Sequence, residues 1–249
     1  MFKSFLNIIL VGVLVIFVLG SLAFSAGKLA KVNCDELVVK IAEDSPRFLD
    51  EEEIERLVKK ADEKLFEKQL NKINTEALEA ELKKETAIKN VEIYRRVTGE
   101  TMEFKGRLLV EVEQRSPVLR VINGKEDFYL DNEGVRIPSS QVFTAKVLLV
   151  SGHADEKFAR EQLLPMINFM DEDEFWKAQI EQIQVNKNGE LFMAPLVGDQ
   201  LIEFGAPSDY LIKFRNLKAL YEQALPKVGW EYYSKINLKY TNQVVCTKK

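Results

Sequence analysis

Apolar positions follow three different patterns along the chain, and each pattern predicts a different kind of element. From Phe5 to Ala26 there is no charged residue, and the run from Phe5 to Leu19 is almost purely apolar. A helix needs about 20 such residues to cross a bilayer, and its backbone satisfies its own polar groups there. The run therefore predicts a single transmembrane helix over 5–26. A cleaved signal peptide is the competing reading, with Ser21-Leu22-Ala23 and Ser25-Ala26-Gly27 as small-residue clusters. Its apolar stretch is typically about 7–15 residues, shorter than this one. Lys28 and Lys31 outnumber Lys3 as flanking charges, which by itself favours the opposite orientation. A long C-terminal part can nevertheless be exported largely regardless of charge. Residues 1–4 are accordingly expected as a cytoplasmic tail, with everything after Lys28 outside.

The second pattern mixes alternation and helical spacing and covers residues 32–113. Leu37, Val39 and Ile41 alternate as in a strand. Asp50 then stands as a helix N-cap with Glu53 three residues on, and Leu49 and Ile54 are spaced as a hydrophobic staple. Ile54, Leu57, Val58, Ala61 and Leu65 continue at helical spacing. A second helix is expected near Asn74, with Ile73 and Leu78 as its staple and Leu82 on the same face. Two strands follow, one with Val91, Ile93 and Val97, the other with Leu108, Val110 and Val112. The order β-α-α-β-β predicts two helices on one face of a small sheet. The acidic run Asp50-Glu51-Glu52-Glu53 falls in a first helical turn, where carboxylates favour the helix dipole, so it reads as structure rather than as metal ligands.

From residue 114 to 249 the pattern becomes short strands punctuated by turns. Asn123-Gly124 and Asn188-Gly189 are turn pairs between apolar runs. Strands are expected around Leu119 and Val121, at Phe128 to Leu130, at Val135 to Pro138, at Val147 to Val150, at Ile183 and Val185, at Leu191 to Met193 and at Leu201 to Phe204. Leu163 to Trp176 reads as a helix in two pieces, broken at Pro165 or in the acidic stretch Asp171 to Glu174. Ser208 reads as the cap of a helix bearing Leu211, Phe214, Leu217, Leu220 and Tyr221, ended by Pro226 and Gly229. A last strand over about 235–245 places Ile236, Leu238, Tyr240, Val244 and Cys246 on one face. The fold class is thus α+β: one N-terminal transmembrane helix, a β-α-α-β-β unit, then a strand-rich α+β domain.

Charge changes this picture only by exclusion. Lys and Arg number 35 against 39 Asp and Glu, for a net charge of −4. Nucleic-acid binders usually carry a basic face, so no nucleic-acid partner is expected. Cys34 and Cys246 lie at opposite ends of the folded part, without disulfide-framework or metal spacing, and read as separate thiols. The single histidine, His153, is two residues from Ser151, but a hydrolytic triad also needs an orienting acid and an oxyanion site. No catalytic residue, metal site or cofactor is expected. Trp230, just after a helix stop, is a candidate contact anchor.

Three stretches carry a resemblance. They are Tyr129-Leu130-Asp131-Asn132-Glu133-Gly134-Val135-Arg136-Ile137-Pro138, then Ile202-Glu203-Phe204-Gly205 with the helix through Lys213 and Leu217, then Ile236-Asn237-Leu238-Lys239-Tyr240. In this order, after a membrane helix and a β-α-α-β-β unit, the chain resembles the bacterial division protein family FtsQ/DivIB. That resemblance implies a POTRA-like domain over 32–113 and an FtsQ-type β domain over 114–249. It implies a non-enzymatic scaffold of the inner membrane at the division septum. The implied partners are FtsB/FtsL-like bitopic coiled-coil proteins and the septal peptidoglycan synthesis machinery. It also implies that a partner adds a strand at the C-terminal edge, through Ile236, Leu238, Lys239, Tyr240, Thr241, Asn242 and Val244. Two departures stand out: only four residues precede the apolar run, and the chain ends in Thr247-Lys248-Lys249 without an aromatic residue. A POTRA-type component of a transport system is the alternative, although neither a repeat of the unit nor a series of barrel strands is visible.

Overall fold

The apolar N-terminal run forms helix α1 (Phe2–Leu29) in the computed structural model. The structure describes residues 2–99, 103–240 and 243–249, with backbone only at 2–9, 26 and 29. Leu10, Ile16 and Phe17 of α1 are all exposed. Among the described residues no helix is long and apolar enough to cross a membrane. The side chains of Phe5 to Ile9 and of Ala26, part of the expected membrane segment, lie outside the described residues. The chain divides into two units, residues 1–45, α1 included, with 49–114, and residues 46–48 with 115–249.

In the first unit the order is β1 (Cys34–Ile41), α2 (Glu51–Ala61), α3 (Thr75–Leu82), β2 (Ile88–Thr98) and β3 (Lys105–Gln114), with two single 3-10 turns between the helices. Strand β3 is central, parallel to β1 and antiparallel to β2. The period-2 residues Leu108, Val110 and Val112 and the helical residues Ile54, Val58, Leu78 and Leu82 are all buried in one cluster. Both helix starts are capped as their sequences predict: Asp50 Oδ1 accepts from the Glu53 N–H at 2.7 Å, and Asn74 Oδ1 from the Ala77 N–H at 3.0 Å. Buried Gln114 closes the far end of β3 by accepting from Leu49 N at 2.9 Å and donating to Leu49 O at 2.7 Å. Gly106 is obligatory for close approach, since a Cβ there would sit 2.0 Å from Asn33 O.

The second unit contains β4 (Pro117–Ile122), β5 (Asp127–Asp131), β6 (Arg136–Pro138), β7 (Leu148–Gly152), α4 (Glu156–Phe158), α5 (Leu164–Glu172), α6 (Glu174–Lys177), β8 (Ile180–Val185), β9 (Leu191–Pro195), β10 (Leu201–Gly205), α7 (Tyr210–Gln223), α8 (Leu225–Val228), β11 (Tyr233–Asn237) and β12 (Val245–Lys248). Among the described residues the strands form one nine-stranded sheet in the order β12-β11-β10-β9-β8-β7-β4-β5-β6. The registers line up a single transverse row: Pro138, Phe128, Val121, Val150, Ile183, Met193, Ile202, Ile236 and Cys246. From Phe128 to Ile236 every member of that row is fully buried, in one cluster with Phe214, Leu217 and Trp176 of the helices. The helices therefore cover this face.

Several local departures from the sequence expectation have physical causes. Pro165 does not break its helix. It cannot donate to the carbonyl four residues back, and the preceding segment Ala159–Leu163 opens into a π turn, with Leu164 N–H bonding Ala159 O. The break falls at Asp173, which caps α6 by accepting from Phe175 N at 2.9 Å. Helix α7 is not capped by Ser208. Asp209 stands before it at φ 56° without a side-chain bond, and the buried stripe is Lys213, Phe214, Leu217 and Tyr221. Leu211 is left off that stripe and exposed. The stretch Asp131 to Gly134 is an Asx-type turn: Asp131 Oδ1 accepts from Glu133 N at 3.0 Å and Val135 N at 2.7 Å, while Oδ2 accepts from Arg115 Nη1 at 2.7 Å.

Two measurements check these assignments. Asp50→Ala should lower unfolding free energy by about 0.5–2 kcal/mol in urea titration, the usual loss for an N-cap, and leave the structure of the second unit unchanged by NMR. Burial pushes the Tyr221 hydroxyl up to about 12. Because its folded value lies above the unfolded one, its contribution to stability is complete below about pH 10 and is lost as pH rises toward 12. Tyr221→Phe should remove one late step from the alkaline phenolate titration followed by absorbance and flatten stability against pH in that window.

Candidate partner-binding edge

The end of the large sheet is built by the segment that follows α8. Strand β11 lies parallel to β10, so α7 and α8 form the crossover that parallel pairing requires. Ile236 and Leu238 are buried, at 0% and 1% exposure. Two side-chain bonds and one backbone bond mark the point where β11 ends. Asn237 Nδ2 donates to Glu203 Oε2 at 2.8 Å, Asn237 Oδ1 accepts from Lys239 N at 2.9 Å, and Leu238 N donates to Glu203 O at 2.9 Å. Such local side-chain bonds compete with strand continuation.

The continuous strand expected over 235–245 is therefore corrected to a hairpin. After Asn237 the chain reverses, and β12 returns antiparallel to β11, placing Cys246 opposite Ile236 and Val245 opposite Asn237. The alternation of Ile236, Leu238, Val244 and Cys246 is real, but it belongs to two arms that each face the core. Val244 and Cys246 are half-buried against it, and burial pushes the Cys246 thiol up. Cys34 and Cys246 are both free.

Lys239 and Tyr240 follow the first arm. Tyr240 is 54% exposed; Thr241 and Asn242 lie outside the described residues. Lys239 is not free to reach outward: its Nζ bonds Glu190 Oε1 at 2.8 Å, a pairing that raises the lysine and lowers the carboxyl from their ordinary values. Its stem lies on Gly205, where φ is +76° and an added Cβ would come 2.9 Å from Lys239 Cγ. Glycine is needed there on both counts.

Strand β12 is the end of the sheet. One side of its backbone pairs with β11, and the other has no strand beside it among the described residues. It is held in place from behind. Ser234 Oγ donates to Thr247 O at 3.2 Å, Lys249 N donates to Tyr232 O at 3.2 Å, and Lys249 Nζ meets Asp199 at 3.0 Å. The opposite end of the sheet differs. Strand β6 spans only Arg136–Pro138, and Pro138 has no N–H to offer, a common way of closing an edge.

This domain, residues 116–247, matches the family described as FtsQ/DivIB, C-terminal related, over more than half of the chain. The chain belongs to the FtsQ/DivIB family. Residues 32–102 match a POTRA-like domain, in agreement with the β-α-α-β-β order of the first unit. No curated protein matches the chain. Both families are of the non-catalytic, scaffold type.

Within this FtsQ/DivIB domain the other candidates fall away from the edge. Trp230 is half-buried with its ring 5.5 Å from that of Tyr221, so much of its surface serves the core. His153 is exposed after β7, while Ser151 Oγ accepts from Gln182 Nε2 at 3.1 Å. Among the described residues no cluster of three or more His, Cys, Asp or Glu could hold a metal ion. Sequence reading missed Val245, 43% exposed on β12; near it, the ring of Tyr232 lies 5.3 Å beneath Lys248 Nζ. The adjacent pair Val244-Val245 was the available signal, since two neighbouring valines on a strand point to opposite faces.

Proposed function

We propose that the chain is a non-catalytic scaffold of the bacterial division complex, held in the cytoplasmic membrane at the septum by α1. Its second unit takes up a strand from an FtsB/FtsL-like bitopic coiled-coil partner along the outer edge of β12, and so helps control septal peptidoglycan synthesis. The single observation that carries the reading is that β12 leaves an open edge in the family-matched domain, while proline ends the other edge. An open edge offers a row of backbone donors and acceptors to an incoming strand. Each such bond contributes only about 1 kcal/mol net, so side chains must supply the specificity. A strand added to β12 would extend the transverse core row past Cys246, and its residue at that position would be apolar. Tyr240, exposed after β11, offers an apolar face with a polar tip.

The anchoring part of this reading is supported by the exposed apolar surface of α1. Apolar side chains stand exposed around it, and a helix apolar on all sides needs an apolar environment. With FtsQ/DivIB membership shown by the second unit, a transport role for the POTRA-like unit has no separate observation in its favour.

The edge is tested by proline substitution at two adjacent positions, Cys246 and Thr247. Neighbouring N–H groups on a strand point to opposite sides. One variant should therefore break the bond to β11 and lower thermal stability, while the other should keep the fold and lose FtsB-like partner binding in a pull-down. Wild-type affinity in a folded variant of both kinds would exclude strand addition. Tyr240→Ala should weaken binding by roughly 2 kcal/mol, as loss of an interface anchor does, measured by calorimetry. Alkaline carbonate extraction should leave the full-length protein with the membranes; release of a mature form beginning near Gly27 would replace the anchor with a signal peptide.

A further inference from the structure

The three-stranded sheet of the first unit has its two helices on one face only. Side chains directly opposite in register share a face and alternate along each strand. Leu37, Val39, Leu108 and Val110 belong to the helix-covered core, so their neighbours form the other face. The middle row of that face is Val38, Leu109 and Tyr94. Val38 and Leu109 are only half-buried, and Tyr94 is exposed.

One step along the strands in one direction, the row reads Glu36, Arg107 and Arg96; one step in the other direction it reads Lys40, Glu111 and Glu92. Shared placement is confirmed by the Arg107 Nε to Glu36 Oε2 pair at 2.6 Å and by the Tyr94 hydroxyl donating to Glu92. The signs invert position by position about the apolar row. Glu36 is matched by Lys40, Arg107 by Glu111, and Arg96 by Glu92. On β3 the inversion continues one step further, with Lys105 against Glu113.

Stability of a single chain does not call for this arrangement. Arg96 lies directly opposite Arg107, and Glu92 directly opposite Glu111; like charges opposed across two strands are unfavourable. Within the chain Arg107 is offset by Glu36 and Glu111 stands in register with Lys40, while Arg96 and Glu92 on β2 face only a like charge across the pairing. We propose that this face binds the same face of a second copy, about a two-fold axis running along the row Val38, Leu109, Tyr94. Rotation about that axis lays the apolar row on itself and sets the strands of the two sheets antiparallel. It brings Arg96 opposite Glu92 of the second copy, Arg107 opposite its Glu111, and Glu36 opposite its Lys40. A two-fold contact requires a self-complementary patch, and inversion of charge about an apolar line is the pattern that meets this requirement; a different partner would require no inversion. The axis also keeps the β1 edge of both copies on the same side.

Self-association of the full chain in detergent, measured by sedimentation equilibrium, tests the proposal. Arg96→Glu and Glu92→Arg, each alone, should weaken the dimer at least about tenfold, since like charges brought together at an interface are strongly unfavourable. The double variant Arg96→Glu with Glu92→Arg should restore it. Arg96→Glu should at the same time keep or raise the melting temperature of the monomer, because it relieves the clash with Arg107; a general loss of structure would lower it. Independently, Tyr94→Cys in a Cys246→Ser background should form an oxidised dimer far more readily than Lys227→Cys in the same background. Wild-type association in both single variants, failure of the double variant to recover while its circular dichroism is native, or equal crosslinking at 94 and 227 would each overturn the proposal.

Discussion

The second unit depends on one constraint: the register that carries a single buried side chain from every strand into the same transverse row. From Phe128 to Ile236 that row is sealed under the helices, and it crosses parallel and antiparallel pairings without interruption. A slip of one residue in any strand would turn its buried member outward and present its polar neighbours to the core. Turn chemistry enforces the register at close range. Asp131 fixes the β5–β6 turn with its two backbone bonds. Asn186 does the same between β8 and β9, accepting from Asn188 N at 2.8 Å and Glu190 N at 3.0 Å. Buried Lys213 secures the approach to α7, its Nζ donating to Ala206 O at 2.6 Å over the ring of Phe204. That ammonium is held below its ordinary value by burial.

A sheet with such a row is easily extended, because its last strand presents both unpaired backbone and an unfinished hydrophobic line. The two ends of this sheet meet that hazard differently. At β6 the edge is three residues long and closes on proline. At β12 the row ends on half-buried Cys246, and no proline interrupts the strand. The difference in edge chemistry makes one end of the domain a terminus and the other a place where a strand can be added.

The first unit solves a smaller problem with a different surplus. Its core is closed by two capped helices against three strands, and the Gln114 amide joins the loop before α2 to the end of β3. What remains is a sheet face whose charges repel across β2 and β3 within one chain. A solvated face would normally alternate signs between adjacent strands. Here β1 and β3 alternate in that way, while β2 and β3 do not.

The sequence by itself determined the local elements. Apolar periodicity and capping residues fixed the β-α-α-β-β order, the starts at Asp50 and Asn74 and the turns at Asn123-Gly124 and Asn188-Gly189, because these depend on contacts only a few residues apart. It also brought the second domain within reach of its family, through stretches whose turns are themselves local. Tertiary structure decided the rest. Whether Pro165 would break a helix depended on whether a π turn could be accommodated under the sheet. Whether residues 235 to 245 formed one strand or two depended on Glu203, a residue some thirty positions earlier that holds Asn237 and Leu238. Alternation looks the same in a straight strand and in the two arms of a hairpin that bury the same face. The open edge therefore passed from β11 to β12, and only the long-range register shows which of the two a partner would meet.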